Sequence, residues 1–209
     1  VVDCGAVPVL ADCLEDESLR RSACAALRNV TASNPGAVAP FSEQLARVLG
    51  DVPYEAAGAL QNIAGVQPAA VAAFAPELAV ALRDAPRKAA SALAHIAARD
   101  PADVPVTPLV EALNNAKSSS AACCALACAA SDTPGRAALV EAKGVPALVA
   151  LLEDDDAKCA CAAAHVIRHL ACDDKGRRAL LINGGAAALS AAGLEGDDEA
   201  TQLRVDAIA

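Results

Sequence analysis

Ala26-Leu27-Arg28-Asn29-Val30, Ala59-Leu60-Gln61-Asn62-Ile63, Ala92-Leu93-Ala94-His95-Ile96, Ala125-Leu126-Ala127-Cys128-Ala129 and Val166-Ile167-Arg168-His169-Leu170 are five versions of one pattern. Their anchors, at 27, 60, 93, 126 and 167, are separated by 33, 33, 33 and 41 residues. Self-similarity at a period of roughly 20–50 residues marks a solenoid, in which each unit buries its apolar face only against its neighbours. Function is then to be sought on a shared surface and not in a single pocket.

Counting from each anchor, positions −8, −4, −1, 0 and +3 are apolar or small. They read Leu19, Ala23, Ala26, Leu27 and Val30 in the first copy, and Cys159, Ala163, Val166, Ile167 and Leu170 in the fifth. This is helical spacing, and it predicts one long helix per unit. Adding 42 to the fifth copy reaches Thr201, Val205, Ile208 and Ala209, so a sixth copy begins and is cut short. Ahead of each long helix a shorter apolar segment predicts a second helix, over 7–14, 44–49, 77–82, 109–113, 145–152 and 186–194. The turns between carry acidic residues or proline, such as Glu15-Asp16-Glu17, Asp84-Ala85-Pro86 and Glu153-Asp154-Asp155-Asp156. Acidic side chains and proline suit the first turn of a helix. The 41- and 42-residue spacings leave room for a third, short helix over 136–142 and 177–182, ended by Gly144 and Gly184 as C-caps. The 33-residue units must shorten or lose it.

Composition narrows the class. Apolar residues make up 55% and aromatics 1%, so the interior is built from Ala, Leu, Val, Ile and Cys, which suits closely approaching helices. Nine cysteines without a loop framework predict free thiols in a reducing, intracellular compartment, most simply the cytoplasm. The net charge of −9 argues against a nucleic-acid binder. The longest apolar run, 121–130, is about half a membrane span, which predicts no membrane insertion. The expected architecture is all-α: a right-handed α-solenoid of about five to six repeats, forming one array over 1–209. Its units are 1–34, 35–66, 67–100, 101–132, 133–174 and 175–209, and the array is truncated at both ends.

The chain resembles the armadillo-repeat family. The resemblance is carried by Asp3-Cys4-Gly5-Ala6-Val7-Pro8-Val9-Leu10 and by Lys143-Gly144-Val145-Pro146-Ala147-Leu148-Val149-Ala150-Leu151-Leu152, each followed by a helix of the Ala-Leu-x-Asn-apolar kind. The middle units are shorter than the family's, and only Asn29 and Asn62 keep the asparagine, so HEAT-like repeats are the nearest rival. Thr107-Pro108-Leu109 imitates an ankyrin signature, but it occurs once and the 41-residue spacing breaks the ankyrin period.

One flank of each anchor helix is left over after the core stripe, at positions −6, −2 and +2, which stack along a helix. It comprises Arg21, Ala25 and Asn29; Tyr54, Gly58 and Asn62; Arg87, Ser91 and His95; Ser120, Cys124 and Cys128; and Cys161, His165 and His169. The resemblance implies that this flank lines a concave groove and that its asparagines clamp the backbone of an extended peptide. Arg21 and Arg87 are forked donors suited to carboxylate or phosphate, which points to an acidic or phosphorylated segment. The family's import receptors use a Trp four residues before the asparagine, and here Ala25 and Gly58 stand there, so that kind of binding is not expected. Cys124, Cys128, His165 and His169 fall at equivalent places on successive units and are candidate zinc ligands, if the facing helices bring them within reach. No Gly-rich phosphate loop, His-Glu zinc motif or nucleophile elbow is present, so neither an enzyme nor a cofactor is expected. The expected function is a protein-interaction module. The alternatives are a structural subunit of a large assembly that uses solenoid edges and ends, and the substrate-binding segment of a larger enzyme such as a ubiquitin ligase.

Overall fold

A computed structural model describes residues 5–191. The sixth repeat at 201–209, the acidic turn at 197–199 and the pair Asp3-Cys4 lie outside the described residues. Helix is the only regular structure among the described residues. None of these helices is long and apolar enough to cross a membrane. The chain divides after Pro105 into two compact units.

The first unit contains α1 (Ala6–Asp12), α2 (Arg20–Ser33), α3 (Pro35–Val38), α4 (Ser42–Arg47), α5 (Pro53–Ala64), α6 (Ala75–Ala81) and α7 (Pro86–Arg99). Its long helices are neighbours in chain order, α2 against α5 and α5 against α7, and each also rests on the short helix before it. The reason lies in the stripe. Leu27, Leu60, Leu93, Ile63 and Ile96 are wholly buried, each a gain of roughly 1.5–3 kcal/mol on transfer from water. Between them stand Ala56, Ala59, Ala89 and Ala92, also fully buried, whose small side chains let the helix axes come close. Proline at the first position of α5 and α7 starts both helices without losing a bond, since that N–H has no intrahelical partner.

The second unit contains α8 (Val106–Ala112), α9 (Ser119–Ala129), α10 (Thr133–Glu141), α11 (Val145–Leu151), α12 (Ala157–Leu170), α13 (Asp174–Ile182) and α14 (Gly185–Ala191). Here α9 packs along α12, with Ser119 Oγ 3.2 Å from Cys159 Sγ across the interface. Asp156 caps α12 by accepting from the Lys158 N–H at 2.9 Å, while Asp154 accepts from the Asp156 N–H. Some acids of that turn are therefore helix caps.

Across all five copies the predicted stripe is buried except in the first, where Ala26 and Val30 are half-buried and Leu19 is 46% exposed. Leu19 departs because α2 begins one residue later, at Arg20. Leu19 thus precedes the first helical turn, and the Arg20 guanidinium folds back to the Leu14 carbonyl at 2.9 Å.

The third helix behaves as its spacing requires. In the 33-residue units it shrinks to α3 and to single 3-10 turns at Ala39–Phe41, Pro68–Ala70, Ala72–Phe74 and Pro101–Asp103. In the longer units it is full-sized, as α10 and α13, and starts three residues earlier than the apolar pattern suggests. The cause is a repeated start signal, Asp132-Thr133-Pro134-Gly135-Arg136 and Asp173-Asp174-Lys175-Gly176-Arg177. Each leading aspartate accepts from the glycine N–H, at 2.7 and 2.8 Å. Each arginine donates to a carbonyl at the end of the preceding long helix, Arg136 to Ala130 and Arg177 to Ala171. Each glycine is obligatory, because a Cβ there would lie 1.7 Å from the Ala129 oxygen or 1.9 Å from the Leu170 oxygen.

One predicted cap is corrected. Gly184 is left-handed, with φ 74°, as a C-cap should be. At the end of α10, however, Lys143 takes the left-handed conformation with φ 58°, and Gly144 follows at φ −74°. Gly144 is needed for room, since a Cβ would come within 2.8 Å of Val110 Cγ2.

Candidate functional site

In the first unit the predicted flank forms one polar row across α2, α5 and α7. Arg21 and Asn29 on α2, Tyr54 on α5, and Arg87 and His95 on α7 are exposed, while Ala25, Asn62 and Ser91 are half-buried and Gly58 is covered. Helical spacing brings each triplet to one side of its helix, and the parallel stacking sets the triplets beside one another.

The row is wired together by two predicted positions, Asn62 and Ser91, bonding to residues just off the predicted triplets. Asn62 Nδ2 donates to Thr31 Oγ1 at 3.1 Å and to the Arg28 carbonyl at 3.5 Å, which ties α5 to α2. Gln61 Nε2 donates to Ser91 Oγ at 3.0 Å, which ties α5 to α7. The Gln61 side-chain oxygen Oε1 is buried without a partner among the described residues. Arg28 reaches from α2 across α5, where its guanidinium carbon lies 5.5 Å from the Tyr54 ring centroid. Its side chain passes over Gly58, where a Cβ would sit 2.9 Å from Arg28 Cδ.

The charge on this face is mostly uncompensated. Among the described residues Arg20, Arg47 and Arg99 are ion-paired, to Asp51, Glu43 and Asp103. Among the described residues, Arg21, Arg28 and Arg87 have no carboxylate within ion-pair distance. Glu55 is the acid near this face, as its charge and that of Arg28 both act on the Cys24 thiol. Burial in the first place, and Glu55 after it, push that thiol up to about 12.

In the second unit the same flank has softer chemistry. Cys124 and Cys161 are exposed, and Ser120, Cys128, His165 and His169 are half-buried. Burial raises the Cys124 thiol, with Cys161 on the neighbouring helix adding to it, and burial likewise raises Cys128. His169 is held below its usual value by burial first, then by Arg168, Arg136 and His165. The zinc arrangement suggested for Cys124, Cys128, His165 and His169 is corrected. No three His, Cys, Asp or Glu side chains among the described residues are grouped to hold a metal ion.

Sequence reading thus located Arg21, Asn29, Tyr54, Arg87 and His95 on one exposed face but missed Arg28, Gln61 and Thr31. The available signal was a polar residue directly after the anchor in consecutive units, Arg28 and Gln61, with a glycine at 58 opposite the longer one.

Comparison with known proteins now bears on this face. The family model for the Armadillo/beta-catenin-like repeat matches residues 1–32 and 132–172. The comparison with curated proteins returns no match. Among solved structures, the chain is similar to an engineered protein at 25% identity, with a TM-score of 0.84 over 98% of this chain and 95% of that one. A second engineered protein is 28% identical, with a TM-score of 0.85 over 99% of this chain and 58% of that one. A designed armadillo repeat protein in complex with the peptide (KR)4 is 23% identical, with a TM-score of 0.80 over 97% of this chain and 98% of that one. The all-α architecture is that of armadillo solenoids.

Proposed function

We propose that this chain, which matches the armadillo-repeat model over residues 1–32 and 132–172, is a non-enzymatic peptide-binding module whose first unit holds an extended, acidic segment of a partner protein across α2, α5 and α7. The observation that supports the reading is the row of Arg21, Arg28 and Arg87 on α2 and α7, without ion pairs among the described residues, with Arg28 set over the exposed ring of Tyr54. A designed protein of the same fold holds the basic peptide (KR)4. The face here has the opposite preference, because bringing lysines against three arginines costs electrostatic free energy while glutamates gain it. Tyr54, 53% exposed, supplies the apolar anchor, and Asn29 supplies amide donors and an acceptor for the ligand backbone.

Geometry sets the register of such a ligand. Two helix-to-helix steps of about 9 Å separate α2 from α7. An extended chain advances about 3.3 Å per residue, so acids roughly five to six residues apart reach Arg21 and Arg87 together. The test uses fluorescein-labelled dodecapeptides of Gly and Ser bearing Glu at positions 3 and 9, beside matched peptides with Lys at those positions. Anisotropy should show binding of the Glu peptide alone, weakened about tenfold or more by the double change Arg21→Ala, Arg87→Ala. Equal binding of both peptides, or no effect of the double change, would sink the reading.

A further inference from the structure

We propose that Arg28 and Tyr54 form a preorganised receptor for a single carboxylate, so that the peptide held on this face presents a glutamate or aspartate, not a phosphorylated residue, at the α2–α5 step. The inference rests on the peptide-binding reading of the first unit and deepens it.

Three features build the receptor. Gly58 leaves the space through which the Arg28 side chain crosses α5, with the missing Cβ only 2.9 Å from Arg28 Cδ and 3.4 Å from Cγ. The Tyr54 ring supports the guanidinium at 5.5 Å. Asn62 holds the backbone beneath it, by its bonds to the Arg28 carbonyl and to Thr31. A guanidinium has five N–H donors, and among the described residues none of those on Arg28 donates to an acceptor. The ring lies to one side of the guanidinium, whose N–H groups donate to no partner among the described residues and can make the two parallel bonds that a carboxylate accepts. The rotamer entropy that an exposed arginine loses on binding has already been given up here, so more of each bond appears as affinity.

Charge selects the anion. Arg21 lies two turns back on α2, about 10 Å along the axis, too far to share one small anion with Arg28. Glu55, next to Tyr54 in the chain, is an acid whose charge reaches the Cys24 thiol together with that of Arg28. A phosphate dianion doubles both its attraction to Arg28 and its repulsion from Glu55, so its net Coulombic gain is small. Its desolvation cost grows as the square of its charge, and the monoanionic carboxylate is therefore favoured.

The test keeps Glu at positions 3 and 9 of the dodecapeptide and places Glu, Gln or phosphoserine at position 6. Binding is read by anisotropy, and the Arg28 Nε–Hε resonance is followed by NMR. The central Glu should bind about tenfold tighter than Gln and at least as tightly as phosphoserine. Arg28→Gln, which removes the cation, should erase the Glu–Gln difference, and Arg28→Lys, which keeps the charge but loses the fork, should reduce it, both with the helical circular-dichroism signal unchanged. Gly58→Ala should reduce the difference by displacing the side chain. Equal Glu and Gln binding, preference for phosphoserine, or an unmoved Nε resonance would overturn the carboxylate receptor while leaving peptide binding intact. If no peptide binds, the wider reading falls. Titration with acetate and with inorganic phosphate at equal ionic strength then decides the receptor alone. Acetate must move the Arg28 resonance further than phosphate does, and a smaller or absent shift overturns it.

Discussion

Replacing Gly135 by alanine tests the account of how the long repeats are joined. The added Cβ would stand 1.7 Å from the Ala129 oxygen and 2.6 Å from its carbon, and both are backbone atoms that no rotamer change can move. The start of α10 must therefore withdraw from the end of α9. Withdrawal loses the cap bond from the Gly135 N–H to Asp132, a contribution of about 1 kcal/mol. It also loosens the Arg136 bonds to the Ala130 and Ser131 carbonyls, both 3.1 Å, where bonds to a charged donor contribute roughly 1.5–3 kcal/mol each. Allowing for partial relaxation, the expected destabilisation is about 3–4 kcal/mol, a large share of the ~5–15 kcal/mol that typically stabilises a folded protein. With a slope near 2 kcal/mol per molar urea, the unfolding midpoint should fall by about 1.5–2 M. Circular dichroism at 222 nm against urea measures this. Gly50→Ala is the control, since nothing lies within 4 Å of a Cβ there and its midpoint should stay within a few tenths molar. A Gly135→Ala midpoint no lower than that of the control would refute the close-approach argument.

Thiol reactivity should sort by environment: at pH 8 iodoacetamide should modify exposed Cys172 and leave Cys24 and Cys123 untouched, because burial pushes both of those thiols up to about 12. Peptide mass spectrometry would contradict this if Cys24 or Cys123 were labelled as fast as Cys172. His169 predicts a pH dependence in the second unit: its folded value lies below the ordinary ~6.5, so below pH 6.5 the unfolded chain takes up a proton that the folded chain resists. Stability then falls as pH drops from 6.5 to the folded value and levels off beneath it. His169→Gln should lose less stability than the native chain between pH 7.5 and 5, and an identical change in urea midpoint would exclude His169 as the source.

The repeat was legible because helical periodicity is a one-dimensional signal. Leu27, Leu60, Leu93, Leu126 and Ile167 all mark buried positions, and the leftover flank emerges exposed or half-buried except where Gly58 is covered by Arg28. What stayed hidden depends on distances between residues far apart in the chain. Gly135 and Gly176 carry no mark in the repeat pattern, and their role follows only from carbonyl oxygens less than 2 Å from where a Cβ would be. Gly144 looked like a left-handed cap, but Lys143 takes that conformation and Gly144 faces Val110, which is remote in sequence. Arg28, directly after the anchor, falls outside the −6, −2, +2 triplet, so no rule confined to one helix could place it over a ring on the next.

The two asparagines carried by the family pattern divide their work for a related reason. Asn62 spends its amine on Thr31 and on the Arg28 carbonyl, so toward a ligand it retains mainly its carbonyl oxygen. Asn29, exposed at the equivalent place on α2, keeps both amine and carbonyl for the ligand. Gln61 is used up in the same way on Ser91, and its remaining oxygen is buried unpartnered, where a lost partner costs roughly 1–3 kcal/mol. The middle helix of the face is thus built to fix its neighbours. On the proposed reading, polar recognition would fall to the outer helices and to Arg28, which α2 lends across α5, with Tyr54 the one ligand anchor on α5 itself. A ligand on this face would be sorted by charge at Arg21, Arg28 and Arg87 before any backbone clamp at Asn29 or Asn62 came into play, because forked cations discriminate between acidic and basic segments and an amide does not.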